Sequence, residues 1–173
     1  MLFRSYGPYQ QRSEVNRLMA EEFKSHQADP GSFRTLILLL DPDWRNRLSK
    51  SDQTIVGEIV KNDIALNALI HEHAGLVDSQ VMNYLSRAAV HFRLIELAFE
   101  GQLENLPKRF DPYVYPKQLD EVLRLEIKRL ADRCENLRNN ATESTGPMLP
   151  LEIPSRLQLR AWSSVINSAS GVS

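Results

Sequence analysis

The chain contains 173 residues, of which 42% are hydrophobic and 25% charged, and its formal net charge is −1 at pH 7. This length and composition are typical of one globular domain and exclude a broadly disordered chain. The small net charge excludes a global field that attracts nucleic acid or anionic lipid, so we expect no nucleic acid as a partner.

Cysteine usage and hydropathy indicate the compartment. The one cysteine, Cys134, excludes an internal disulfide framework and is typical of a reducing compartment. The first ten residues have no apolar core of signal-peptide length, and the longest aliphatic run, residues 36–40, is too short for a membrane span. We therefore expect a soluble, cytoplasmic protein.

The first forty residues predict an arm and two helices. Residues 1–12 mix aromatic side chains with glycine and proline and predict an irregular N-terminal arm. Ser13 can cap a first helix, which the Asp-Pro-Gly sequence at 29–31 ends. Residues 33–40 are an apolar run compatible with a strand or a helix. We interpret the run as helix because its neighbours are helical and no partner strand is visible.

The middle of the chain predicts a helical hairpin. An acidic cap followed by proline at residues 41–43 predicts a short helix. Ser51 then caps a long helix over residues 52–74, and Gly75 suits the left-handed residue that ends it. Asp78 caps a second long helix over residues 79–100. The short connection forces the two long helices to run antiparallel.

A third long helix is predicted over residues 116–139. Its apolar side chains recur at steps of three and four residues, which is close to a coiled-coil heptad, although we favour an ordinary bundle helix. Cys134 belongs to this stripe, so we predict that it is a small core residue rather than a nucleophile. The stripe consists of Leu119, Leu123, Ile127, Leu130, Cys134 and Leu137.

These elements predict an all-α protein, a helical bundle built on the hairpin and the third long helix. The predicted organisation is an arm at residues 1–12, one helical-bundle domain at 13–139, and a linker and C-terminal tail at 140–173. The tail contains a possible short helix after Pro154. Trp162 is a large apolar side chain in this tail, and we expect it to dock on its own bundle or on a neighbouring subunit.

The helix at residues 78–100 is apolar on two sides, which indicates that it is contacted from two directions. A second helix of the chain, or a second subunit, would cover the shorter stripe. Two charged residues beside that stripe resemble the polar rim of an interface. The predicted binding residues are Val90, Leu94 and Leu97 of the stripe, Arg93 and Glu96 of the rim, and Trp162.

One carboxylate lies inside the predicted core. Helical winding places Asp63 on the apolar face of residues 52–74, where an ionised group needs a partner. The antiparallel hairpin puts Asp63 opposite residues 88–91. We therefore predict a structural Asp63–His91 or Asp63–Arg87 pair. Asp63 and His91 are also weak candidates for a catalytic acid and base, which would need a nucleophile and a cleft.

The sequence predicts no metal site and no cofactor. His71 and His73 are two residues apart, so on a helix they point in different directions and cannot share one ion. No glycine-rich phosphate loop and no nucleophile-elbow motif is present.

The function favoured by these observations is a non-enzymatic helical interaction or scaffold protein. Such a protein would self-associate, as a homo-oligomer, or bind a protein partner through its helical surfaces and C-terminal tail. The alternative is a helical-bundle enzyme or small-ligand binder with a polar pocket around Asp63 and His91.

Overall fold

The computed structural model describes residues 3–27, 31, 33–139 and 146–159. Within these residues the protein contains α-helices and 3₁₀ turns and no strand, so the predicted all-α bundle is confirmed. Within the run at 33–40, residues 35–39 are helical, as interpreted. The α-helices are α1 Phe3–Ser25, α2 Thr35–Leu39, α3 Pro42–Arg47, α4 Lys50–His73, α5 Ser79–Phe99, α6 Pro107–Phe110 and α7 Leu119–Asn139.

Helices α4 and α5 form the predicted antiparallel hairpin. The cap of α4 is Ser49, not Ser51 as predicted. The Ser49 hydroxyl accepts a hydrogen bond from the backbone N–H of Asp52 at 3.1 Å and donates to the Asp52 carboxylate at 2.8 Å. Only Ser49 has an acidic residue three positions later, and this reciprocal spacing decides between the two serines.

The predicted left-handed Gly75 was wrong. The chain continues beyond α4 as a 3₁₀ turn, Ala74–Leu76, and a positive φ, 72°, occurs instead at Gly101, after α5. There the N–H of Gly101 donates to the carbonyl of Ala98 at 3.1 Å, and that of Gln102 donates to Leu97 at 2.9 Å. These two bonds form a Schellman motif, which requires the left-handed residue at Gly101.

The predicted irregular arm at residues 1–12 is helical from Phe3 onward, as the first part of α1. Pro8 lies inside this helix, where it removes one backbone hydrogen bond. Tyr6 and Tyr9 are buried in the core beside α4, α5 and α7. The burial of these two rings offsets the weak local preference for helix, so tertiary packing overrides the glycine and proline signals.

Two clusters of buried side chains form the core, and α4 and α5 contribute to both. The first cluster joins the early part of α1, the hairpin, α7 and the segment after residue 146. The second joins Phe23 of α1 to α2, to Phe110 and to the other end of the hairpin. Since Tyr9 packs with the later part of α4 and Phe23 with its beginning, α1 runs antiparallel to α4.

Helix α7 leaves the core before it ends. Leu119, Leu123 and Leu130 are buried, whereas Cys134 and Leu137 are exposed. The prediction that Cys134 is a core residue was therefore wrong. The apolar stripe continues along the helix beyond the point at which the described part of the chain covers it.

Candidate functional site in the groove between α5 and α7

Asp63 is buried, as the sequence predicts, with 3% of its surface exposed. Its carboxyl oxygen Oδ1 accepts a hydrogen bond from Nδ2 of Asn16, a buried residue of α1, at 2.6 Å. Burial raises the pKa of Asp63 well above its ordinary range, and the bond from Asn16 opposes this only in part. The site therefore favours the protonated, neutral carboxyl group.

The partner predicted for Asp63 was wrong. His91 directs Nδ1 at the carbonyl oxygen of Tyr113, 2.8 Å away, and its burial lowers its pKa and favours the neutral ring. Arg87 lies in the wall of a surface pocket. The predicted partners came only from the opposite helix of the hairpin, whereas the residue that covers Asp63 belongs to α1.

A sequence signal for Asn16 does exist. Tyr9, Asn16 and Phe23 are spaced by seven residues and share one face of α1, so Asn16 is a polar residue in an apolar stripe. Asp63 is likewise a polar residue on the apolar face of α4. Two polar residues on two buried helical faces are candidates for a hydrogen bond with each other.

The second stripe of α5 is half-buried in the described structure. Leu94 packs against the second core cluster, to which α2 contributes. Beside it, Arg93 and Glu96 form an ion pair with each other. The chain itself therefore covers part of the stripe at Leu94, and the role of Val90, Leu94 and Leu97 in binding a partner stays a prediction.

The segment at residues 146–159, here called the C-terminal arm, crosses α5 and α7. Leu151 and Leu157 of the arm are buried in the first core cluster. The hydroxyl of Tyr84, on α5, donates to the carbonyl of Leu157 at 2.9 Å. Docking on the bundle, predicted for the tail, is thus observed within one chain for the arm. Trp162 lies outside the described residues.

The α7 side of the groove contacts the backbone of the arm through arginines. Nη2 of Arg133 donates to the carbonyl of Gly146 at 2.6 Å, and Nη1 of Arg129 donates to the carbonyl of Leu149. Successive residues of the arm thus meet successively earlier residues of α7. The arm therefore runs antiparallel to the helix. The arginines donate hydrogen bonds to backbone carbonyl groups, which any extended peptide could supply.

A side-chain pair completes the contact. Arg156 of the arm donates two hydrogen bonds to the carboxylate of Glu121, at 3.0 and 2.5 Å. Such a two-pronged pair has defined geometry, unlike a contact between a single donor and a single acceptor. The backbone bonds hold an extended chain of any sequence, whereas the buried leucines and this pair distinguish one sequence from another.

Arg129 is fixed in place before it reaches the arm. It donates to both carboxylate oxygens of the buried Glu126, at 2.7 and 2.8 Å, and to Asp78 at 3.0 Å. The bonds to Glu126 raise the pKa of Arg129, so its charge is secure. Because Asp78 caps α5, the guanidinium links the beginning of α5, the middle of α7 and the arm. This preorganisation lowers the entropic cost of holding a peptide carbonyl.

A surface pocket of about 550 Å³ lies beside the arm. Its walls come from α5 and from the arm, and neither Asp63 nor His91 lines it. Elsewhere in the described ranges, no group of three His, Cys, Asp or Glu side chains is placed to hold a metal ion. The residues that line the pocket are Gln80, Asn83, Tyr84, Ser86, Arg87, Ile153, Gln158 and Leu159.

Comparison with protein-family models, with curated proteins and with solved structures gives no match. None of the helices in the described part of the chain has both the length and the apolarity that crossing a membrane requires.

Proposed function

We propose that the protein is a non-enzymatic helical interaction module, and that its α5–α7 groove is a binding site for an extended peptide segment. The observation that supports this is the docked C-terminal arm. Two leucine side chains fill the groove while side chains of both helices donate hydrogen bonds to carbonyl groups of the arm. This combination is the usual way in which proteins recognise an extended peptide.

The arm has the chemistry of a peptide ligand. Its prolines, at positions 147, 150 and 154, favour an extended backbone and reduce the entropy that is lost on docking. Its two buried leucines are six residues apart, and Arg156 precedes the second. The ligand class is therefore an extended peptide of the pattern Leu-x-Ile-Pro-x-Arg-Leu, where the arginine pairs with Glu121.

The experiment must weaken the arm's own docking, because a tethered segment competes at an effective concentration of about millimolar. The protein is the full chain with Arg156→Glu, which places like charges at positions 156 and 121. A fluorescent peptide copying residues 146–159 is titrated and its anisotropy measured. We expect saturable binding, about fivefold tighter than that of the same peptide with Arg156→Glu.

A peptide with Leu157→Asp is the matched control, because it keeps the backbone and the arginine and loses one buried anchor. We expect no measurable binding from it. Equal binding of all three peptides, or no binding of the unaltered peptide at 1 mM (about the effective concentration of the arm itself), would contradict the proposal.

The alternative function, an enzyme or small-ligand binder around Asp63 and His91, has less support. Asp63 is closed off by its contact with Asn16, and the pocket of about 550 Å³ is lined by other residues. A ligand in that pocket would contact α5 and the arm together, so it would act on the same peptide site.

A further inference from the structure

We infer that the groove binds the C-terminal arm of a second copy of this chain. Two copies would then exchange their arms reciprocally. The inference rests on the proposed function, because it names the occupant of the same groove.

Three of the eight large hydrophobic side chains that are exposed in the described residues lie where α7 ends and the arm begins. Cys134 and Leu137 of α7 are exposed, Leu137 by 46%, and at the start of the arm Met148 is exposed by 40% and Leu149 by 79%. The contact of Arg133 with Gly146 brings these two stretches together. Exposed apolar side chains that lie together on the surface are typical of a site that a partner covers.

The stripe on α7 suggests which partner this is. Its three- and four-residue steps continue from Leu130 through Cys134 to Leu137, which is the spacing by which helices pack against each other. The buried part of the stripe packs within the chain, and the exposed part has no described cover. A second α7 has the same spacing and supplies the complementary face in a twofold pair.

The chain between α7 and the arm is long enough for the exchange. Residues 140–145 separate Asn139 from Gly146, and these seven steps can span at most about 25 Å. Two packed helices lie only about 8–10 Å apart.

An exchanged arm keeps all its contacts. The groove of a second copy offers the same tyrosine, arginines and glutamate, so Leu151, Leu157 and Arg156 find identical partners there. The dimer additionally covers the exposed apolar side chains near Leu137. The free energy of that burial, and not a change in the arm's own contacts, offsets the entropy lost on association.

Reciprocal charge reversal tests the exchange. Glu121→Arg and Arg156→Glu are made in separate full-length chains, and both side chains are exposed, by 37% and 66%, so neither change disturbs the core. In each variant alone the arm meets a like charge, whether it docks on its own chain or on an identical copy. In a mixed pair with exchanged arms, both grooves hold opposite charges.

The two variants are mixed with different affinity tags and the dimers are counted by native mass spectrometry. In random pairing of an equimolar mixture the mixed dimer is as abundant as the two homodimers together, and we expect this ratio of mixed dimer to homodimers to rise about tenfold. The double variant Glu121→Arg/Arg156→Glu is the control: its charges match within one chain, so it should self-associate like the unaltered protein and show no preference for either single variant.

Random pairing of the two variants, or monomers only, would overturn the exchange. The peptide titration then separates the two proposals. If the peptide copying residues 146–159 binds the Arg156→Glu protein, the groove is a peptide site whose occupant is a different protein. If it does not bind, the groove proposal fails together with the exchange.

Discussion

Replacing Asp63 with asparagine removes a buried ionisable group while keeping the shape of the side chain. In the structure Asp63 accepts one hydrogen bond from Nδ2 of Asn16, and the Oδ1 of Asn16 is buried without a hydrogen-bond partner among the described residues. An amide at position 63 keeps the acceptor and adds N–H donors beside that oxygen. We therefore expect Asp63→Asn to stabilise the protein at neutral pH.

The effect should depend on pH in a defined direction. Burial raises the pKa of Asp63 in the folded state, whereas in the unfolded chain an aspartate titrates near about 3.9. Above that pH the folded state binds the proton more tightly, so the unaltered protein loses stability as the pH rises, until the folded-state pKa is passed. The variant has no such group, and its advantage should grow over the same range.

The magnitude follows from two contributions. Satisfying the Asn16 oxygen contributes about 0.5–1.5 kcal/mol. Removing the ionisable group adds about 1.4 kcal/mol for each pH unit between the unfolded-state pKa and either pH 7 or the folded-state pKa, whichever is lower. We expect the free energy of unfolding to rise by at least about 2 kcal/mol at pH 7, and to differ by no more than about 1.5 kcal/mol near pH 3, where Asp63 is protonated in both states and only the hydrogen-bond contribution remains.

Urea unfolding, followed by circular dichroism at several pH values between 3 and 8, measures this difference. Asp132→Asn is the matched control, because Asp132 is exposed on α7 and its replacement should change stability by about 0.5 kcal/mol or less at every pH. A variant at position 63 that is less stable than the unaltered protein at pH 7, or whose advantage is the same at all pH values, would refute the reasoning.

Two further predictions concern stability and use matched pairs of substitutions in urea unfolding. Leu157→Ala should lower the free energy of unfolding by about 2–4 kcal/mol because Leu157 is buried, whereas Glu152→Ala, at an exposed position of the same arm, should change it by about 0.5 kcal/mol or less. Equal losses would mean that the arm is not docked in solution. Gly101→Ala should cost about 1–2 kcal/mol, because φ is 72° and the added Cβ would lie 3.1 Å from the Arg45 guanidinium, while Gly75→Ala, where a Cβ meets nothing within 4 Å, should cost less. A larger loss at Gly75 would contradict the assignment of the left-handed residue.

The positions of α4, α5 and α7 could be predicted because their signals are local. Apolar spacing, an acidic cap at Asp78 and the short connection between the hairpin helices act over a few residues each. The burial of Asp63 follows from the same winding, since one residue's place on a helical face depends only on its neighbours in sequence.

The identity of a contact between distant residues could not be predicted in the same way. Asp63 and Asn16 are 47 positions apart, and their pairing depends on α1 lying across α4. That arrangement depends on which face of α1 is buried, and the buried face carries Tyr9, Asn16 and Phe23. The predicted partners of Asp63 came from the hairpin alone, and the contact from α1 was therefore missed.

The C-terminal arm also has some features that could be predicted from the sequence and others that only the structure shows. Its leucines and prolines are visible in the sequence, and docking of the tail on a bundle was expected. Only the tertiary structure places Leu151 and Leu157 in the core, and only it brings Arg129, Arg133 and Glu121 to the backbone and side chain of the arm.

An all-α chain, the helical hairpin and one carboxyl group on a buried face could all be predicted from local sequence, since each is specified by residues within a few turns of one another. The tertiary structure decided that Asn16 covers that carboxyl group, that Cys134 and Leu137 lie outside the core, and that the arm lies in the groove between α5 and α7. The physical reason is that burial and hydrogen bonding between distant segments depend on how helices are placed side by side, and helix packing sums many weak contacts that no short stretch of sequence contains.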